Sequence, residues 1–296
     1  MAERPAERPA PLERPELVHA ALGRASTADV ARPLSMAEQL ANVDPVRKFT
    51  VLLGAIVVWE LYTRLAKVPP LIFPTFQDTV VALWKGFTQY DLASQIWASM
   101  GILMAGYAIG IVIGAALSFI AVSSRFGSDV LGTLTSMLNP LPAVALLPLA
   151  MIWFGLGAKS LVFVLLHSIV WPVALNTHTG FMSVAEPLRM VGRNYGLRNV
   201  RYIAKLLVPA AFPSILAGMK LGWAFAWRTL IAAELVFGAA AEGGGLGWFI
   251  FASRNEMDIP GAFAGLLTVI LIGFLVENVI FRNIESRTVV RWGMQS

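Results

Sequence analysis

From residue 46 onward the chain reads as six apolar windows separated by short polar stretches, at 46–66, 92–122, 130–154, 160–182, 209–237 and 260–281. A helix rising 1.5 Å per residue needs about 20 apolar residues to cross a hydrocarbon core of ~30 Å, so each window predicts one membrane span. Six spans entered from the cytoplasm bring the C-terminus back to the cytoplasm, and the cations agree with that orientation. Arg47 and Lys48 precede the first window, Arg125 follows the second, and Arg189, Arg193, Arg198, Arg201 and Lys205 follow the fourth. Arg282, Arg287 and Arg291 follow the sixth. The opposite loops hold Lys67, Lys85, Lys159 and Arg254, among the acids Asp78, Asp91, Glu242, Glu256 and Asp258.

Two windows carry small residues at every fourth position: Gly106, Gly110, Gly114 and Ser118 in the second, and Ser214, Gly218, Gly222 and Ala226 in the fifth. Such strips let helix backbones touch where lipid supplies no hydrophobic drive, and they predict a tight bundle or a contact between copies. The third window contains Pro140, Pro142 and Pro148, which remove backbone donors, so this span is expected to bend or break. Broken backbone at membrane depth has to be buried in protein or line a wet cavity, so the segment is either a pathway wall or a packing kink.

Residues 1–45 lie outside this pattern. They repeat Glu-Arg-Pro, hold no apolar run suited to a signal peptide, and predict a mobile, mostly disordered cytoplasmic tail. Within it, Ser35 and Glu38 have capping-box spacing for a short helix over 36–42 that Pro45 ends. The expected organisation is this tail, an all-α polytopic membrane domain of six helices over 46–292, and a short end at 293–296.

Composition narrows the class further. Of 296 residues, 57% are hydrophobic and 14% charged, too few polar side chains to cover a soluble globule of this size. The net charge of +5 is gathered between apolar spans, so it reads as membrane topology and not as a nucleic-acid surface. With no cysteine, disulfide staples and thiolate metal sites are excluded.

The connection at 183–208 is the most basic. Leu188, Val191 and Tyr195 share one helical face; beyond Gly196, Val200, Ile203 and Leu207 share another, with Arg198, Arg201 and Lys205 on a separate side. Gly196 suits the left-handed conformation that closes a helix, and Asn199 is placed to cap the next. Two amphipathic cytoplasmic helices joined by a glycine elbow are expected, shaped for a groove on a partner or for an anionic lipid surface.

This loop resembles the cytoplasmic signature of ATP-binding-cassette importer permeases, Glu-Ala-Ala, three residues, Gly, nine residues, Ile, one residue, Leu-Pro. Gly196 and Pro209 stand at the required separation, and Leu206 and Val208 replace the Ile and Leu. The Glu-Ala-Ala positions read Met190, Val191 and Gly192, with Glu186 one helical turn earlier. The stretches WELYTRLAKVPPLIFPTFQDTVVALW, NPLPAVALLPLAMIWFGLGAKS, LNTHTGFMSV and VPAAFPSILAGMKLGWAFAWRTLIAAELVFG resemble, in the same order, the nitrate, sulfonate, taurine and bicarbonate group of these permeases. The resemblance covers about 46–292. It implies a six-span permease of a bacterial inner membrane, both termini cytoplasmic, that pairs with a second copy as a homodimer. It further implies two ATP-binding subunits carrying ATP and Mg, an external solute-binding protein, and no cofactor or catalytic site on this chain. Glu186, Arg189, Met190, Arg193, Tyr195, Gly196 and Arg198 are the residues it assigns to coupling with the ATPase.

Charges inside spans cost about 2.5–3.5 kcal/mol at a helix centre, so each needs a partner or water. Glu60 and Arg64 are one turn apart and are expected to pair; Lys220 is expected to snorkel or to bond a neighbouring helix; Glu277 and Arg282 read as interface anchors. Arg228 and Glu234 lie six residues apart, about 240° around the helix, and cannot neutralise each other along one face. A fixed guanidinium suits a carboxylate or sulfonate, so Arg228 is a candidate for the pathway of a small anion, or else bonds an acid on another helix. Glu234, Trp227, Asn176 and Trp171 are further candidate wall residues. His167 and His178, eleven residues apart with no third ligand, do not make a metal site. Gly155–Ser160 lacks the glycine that a phosphate loop requires before Lys159. The alternative reading is a gradient-driven secondary transporter using Glu60 and Glu234.

Overall fold

The structure, a computed structural model, describes residues 44–237, 244–291 and 293. The expectations for the tail through residue 43, with its Ser35 and Glu38 capping box, for Glu242, and for the end of the chain beyond residue 293 fall outside the described residues.

Met1–Val57 and Val58–Ser296 form two compact units. Described residues 44–57 of the first make the opening turns of helix α1 (Asp44–Leu65), with Phe49, Val51, Leu52 and Leu53 exposed. At 22 residues α1 is long enough to cross a bilayer at 1.5 Å per residue, but Arg47, Lys48, Glu60 and Arg64 raise its cost in hydrocarbon.

In the second unit, all described regular structure is helical. Three uninterrupted stretches are long and apolar enough to cross a membrane: α3 (Leu92–Val122), α6 (Ala158–Met182) and Ile259–Val290, which starts as α12 (Ile259–Leu275). Two more qualify only as bent pairs. The first joins α4 (Arg125–Leu138) to a 3₁₀ turn at Ala143–Leu146 and α5 (Leu147–Phe154), with a bend of 87°. The second joins Asn199–Ala210 to α10 (Phe212–Phe237), with a bend of 76°. Six spans were expected, the third of them bent or broken; the described residues give three uninterrupted helices, two bent pairs, the first of them at that third window, and the charged α1.

The prolines explain the first bend unequally. Pro140 and Pro142 sit in the turn itself, whereas Pro148 occupies the first turn of α5, where a missing N–H goes unfelt. An amphipathic helix α2 (Phe76–Gln89), capped by Thr75 accepting from Asp78 N–H, lies between the first and second windows. It packs on α12, beside an aromatic cluster of Trp59, Phe73, Phe76 and Phe263. Glu60 and Arg64 pair as expected, and Arg64 also donates to Gln77 Oε1 at 2.7 Å.

The centre of this unit is α6, held between α3 and α10. Both small-residue strips face it from within the same chain. A Cβ on Gly110 would come within 2.7 Å of Ile169 Cγ2, and one on Gly114 within 2.9 Å of Val173 Cγ1. From the other side, a Cβ on Gly218 would meet Asn176 Cβ at 2.8 Å, and one on Gly180 of α6 would meet Ser214 Cβ at 2.6 Å. Ser118 closes the lower end of the α3 contact by donating to the Ala174 carbonyl, and Tyr107 bridges α3 to α10 through Met219 O at 2.9 Å. The strips therefore build the bundle of one chain rather than a contact between copies.

Gly110→Leu is expected to destabilise the folded protein in detergent by about 1–3 kcal/mol, the usual cost of overpacking, because Ile169 has nowhere to go. Gly101→Ala, which faces open space on the same helix, is the control expected to leave the thermal midpoint unchanged or slightly raised.

Candidate functional site

Two places concentrate the sequence-predicted residues: the elbow before α10, and a groove where α10 passes the bend between α4 and α5.

The elbow is two helices. α7 (Glu186–Asn194) starts on Pro187 in its first turn, where the ring fits, and ends at Gly196, whose φ of +73° only glycine adopts freely. Leu197 N–H returns to the Gly192 carbonyl and Gly196 N–H to Arg193, a Schellman closure that satisfies two end carbonyls. The second helix begins as α8 (Asn199–Tyr202), widens into a π turn at Ile203–Leu207 and closes as α9 (Val208–Ala210). Asn199 does not cap it: Arg198 holds the cap position, no side chain donates or accepts there, and Asn199 takes a left-handed φ of +48°.

The elbow is seated on the bundle through apolar contact. Ile203, Leu206, Leu207 and Ala211 are buried against Phe181 and Val184 at the end of α6. Gly192 makes this possible, since a Cβ there would fall on Leu206 Cδ1. Arg189 does not point outward. Its guanidinium donates to the carbonyls of Val184, at 2.9 Å, and of Phe181 and Met182, capping the end of α6. Glu186 lies 3.9 Å from both Arg189 and Arg193. Met190, Val191, Tyr195 and Val200 stay exposed, Tyr195 at 84%, and leave an apolar patch beside Arg193, Arg198 and Arg201. Between this elbow and the end of α3 lies a cavity of about 490 Å³ that includes Phe119, Val122, Arg189, Arg193 and Tyr202.

The groove, of about 320 Å³, is lined by Asn139, Pro140, Leu141, Pro142 and Ala143 from the bend, His167 and Ser168 from α6, and Phe225, Arg228 and Thr229 from α10. Arg228 is the only full charge among these residues. Its Nε donates to the Ala224 carbonyl at 3.0 Å, and its guanidinium lies 5.2 Å from the centre of the Phe225 ring. Neither terminal amino group has a partner among the described residues, and the side chain is exposed on the surface of the chain. Ser168 and Thr229 hydroxyls share a hydrogen bond of 2.9 Å across the α6–α10 seam, while His167 Nε2 is buried with no partner among the described residues.

The other wall candidates are elsewhere. Trp227 is 6% exposed and donates to Val269 O; Asn176 donates to the Pro172 carbonyl of its own helix; Trp171 does not line the groove. Glu234, 1% exposed, sits at the start of α11 (Leu246–Asn255). It accepts from Ser99 Oγ of α3 at 2.7 Å and from Gly247 N–H at 2.8 Å, and Leu246 N–H donates to the same Ser99 hydroxyl. Through these contacts the Glu234 carboxyl group joins α3, α10 and α11. Gly245 and Gly247 leave the room it needs, since a Cβ on either would come within 2.6 Å of Glu234. Sequence reasoning missed Ser99, which lies 135 residues from Glu234. It likewise missed Glu285, the partner that Lys220 takes.

These features define an all-α polytopic membrane protein with a helical elbow seated at one end of its bundle and a cationic groove beside a broken helix. Residues 106–290 match the family described as binding-protein-dependent transport system inner membrane component. The chain is 30% identical over 260 residues to the nitrate import permease NrtB of Synechocystis, covering 84% of this chain and 90% of that protein. It is 26% identical over 239 residues to the putative aliphatic sulfonates transport permease SsuC of Escherichia coli, covering 81% and 89%. It is 27% identical over 240 residues to the taurine transport permease TauC of the same organism, covering 78% and 86%. The chain belongs to this family of inner-membrane transport components, the permeases of ATP-binding-cassette importers.

Ser99→Ala removes the hydroxyl that serves both Glu234 and Leu246. A thermal-unfolding measurement in detergent is expected to show a loss of about 1–3 kcal/mol, the cost of leaving buried polar groups unpaired, whereas an unchanged midpoint would mean the cap carries no stability.

Proposed function

We propose that the protein forms the membrane pathway of an ATP-driven importer for a small anion, working as a homodimer. On this reading two ATP-binding subunits dock on the elbow from the cytoplasm, where both termini lie, and an external binding protein delivers the solute. The observation that carries the anion reading is Arg228. A guanidinium whose terminal amino groups have no partner among the described residues does not face lipid at tolerable cost, so on this reading Arg228 of α10 faces water or solute. The relatives named for nitrate, aliphatic sulfonates and taurine agree with a solute bearing an oxyanion.

The elbow supports the coupling. Its exposed face combines Tyr195, Met190 and Val200 with the cations Arg193 and Arg198, a surface suited to an apolar groove with an acidic rim on the ATPase. Nucleotide-driven closure of that groove shifts the bundle only if the elbow binds one ATPase conformation more tightly than the other. The gradient-driven alternative would use Glu60 and Glu234 as proton carriers, whereas on this reading Glu60, paired with Arg64, and Glu234, bonded to Gly247 N–H, hold the fold.

Cells carrying the complete transport system and supplied with labelled nitrate, taurine or ethanesulfonate provide the test. Arg228→Met is expected to lower uptake of the transported anion by roughly tenfold or more at normal membrane abundance, as loss of a charged hydrogen-bond donor implies. Unchanged uptake would remove Arg228 from the pathway. Isolation of the chain in mild detergent is expected to bring down an ATPase subunit; full transport by the chain alone would overturn the ATP-driven reading.

A further inference from the structure

α6 meets α4 differently from the way it meets α3 and α10. At the α3 and α10 seams hydroxyls find partners: Ser118 donates to the Ala174 carbonyl, and Ser168 and Thr229 share a hydrogen bond. On α4 and the side of α6 turned to it, three polar atoms are buried with no partner among the described residues: Thr135 Oγ1, His167 Nε2 and Trp171 Nε1.

Register places the three along one seam. Ser128 Oγ and His178 Nε2 are 3.0 Å apart at one end of it, and the His167 ring lies against the Leu138 backbone at the other. His167, Trp171 and His178 fall within about 40° of one another around α6, so Trp171 shares the face that meets α4. Trp171 stands seven residues before His178, and Thr135 seven after Ser128. The two helices run antiparallel there, so at 1.5 Å per residue both side chains lie about 10 Å from the Ser128–His178 bond, at one depth.

Each of these atoms has given up water and gained no partner, which disfavours the closed seam by about fivefold to a hundredfold relative to one that water can enter. Little else holds α4 shut. Its buried residues are Leu131 and Thr135, and Gly132 faces open space. Both its ends are joints: the Ser123–Ser124 turn before it, and the 87° bend after it, where Pro140 and Pro142 withhold backbone donors. By contrast α3, α6 and α10 meet at glycines whose missing Cβ atoms leave no slack.

We propose that α4 is a hinged panel that parts from α6 along Thr135, His167 and Trp171 during transport, while α3, α6 and α10 move as one body. This rests on the reading of the chain as a transport pathway and adds the element that moves in it. Swinging the panel displaces Asn139–Ala143, which line the groove beside Arg228, so the groove changes width with it. The panel needs no charge in that groove and stands whether or not Arg228 touches solute.

Because the chain has no cysteine, spin labels can be placed in pairs. Gly132→Cys on α4 and Gly101→Cys on α3 both face open space, and Leu221→Cys on α10 is 44% exposed. The full-length chain is isolated with the subunits that accompany it, set in lipid nanodiscs with labelled chains diluted in unlabelled ones, and measured with and without ATP. The 101–132 pair is expected to give two distances and the 101–221 pair one. Thr135→Val, which removes the unpaired hydroxyl with little change of shape, is expected to gather the 101–132 pair into one of its two distances. The same variant is expected to raise the thermal midpoint while lowering uptake of labelled nitrate, taurine or ethanesulfonate about fivefold or more; a hydroxyl that only supported the fold would lose stability and uptake together. Ser128→Cys and His178→Cys, bridged by a short reducible crosslinker, are expected to lower uptake at least about tenfold until reductant is added. A single 101–132 distance in every state, a lowered midpoint in Thr135→Val, or full uptake through bridged chains overturns the panel. Two 101–132 distances in proportions that ignore ATP support the panel and count against the ATP-driven reading, so the two are judged apart.

Discussion

The close approach of α3 and α10 to the two sides of α6 is the contact on which the rest of the second unit depends. Lipid gives helices no hydrophobic reason to associate, so the contact is made by removing side chains until backbones meet. Gly110 and Gly114 give up their Cβ atoms to Ile169 and Val173, and Gly218 and Gly180 do the same at the α6–α10 seam. A packed interface of this kind is nearly incompressible, so α6 cannot shift without its neighbours following. The elbow is fastened at the end of that helix and the groove along its side.

The elbow is joined to α6 by three separate means. Arg189 takes the last carbonyls of α6, Phe181 is buried among Ile203, Leu206 and Leu207, and Gly180 lies against Ser214 at the base of α10. A displacement of α7 is thus delivered to α6 and α10 together rather than absorbed in a loose connection. At the far end of α10 the Glu234 cap binds α3 and α11 into the same body. Arg228 sits between these two anchors, on the face of α10 that meets the 87° bend of the α4–α5 pair. At this bend, broken backbone and a charge with unpaired terminal amino groups among the described residues share a groove.

Much of this was legible in the sequence, because hydropathy and small-residue spacing act locally. The windows located α3, α6 and α12; the four-residue strips located the α3 and α10 faces; Pro140 and Pro142 located the break, and Gly196 the elbow. What composition does not carry is direction. Nothing about Arg189 says that it turns back to cap α6, and nothing about Asn199 says that it enters the left-handed region instead of capping α8. Glu234 looked like a wall residue because an acid in a span is expensive, and the cost is met by Ser99, far away in the chain, and by the N-terminus of α11. The bends of 87° and 76° likewise depend on tertiary packing, since proline permits a bend without fixing its angle.

On the proposed function, the elbow is the seat of an ATP-binding motor subunit. Because the chain has no cysteine, a single Tyr195→Cys substitution provides a unique thiol at the most exposed aromatic of the elbow. Crosslinking it in membranes during turnover is expected to capture the ATP-binding subunit, with a yield that changes when nucleotide is trapped. Capture of lipid alone, or labelling of this thiol by a membrane-impermeant reagent applied from outside, would contradict the account.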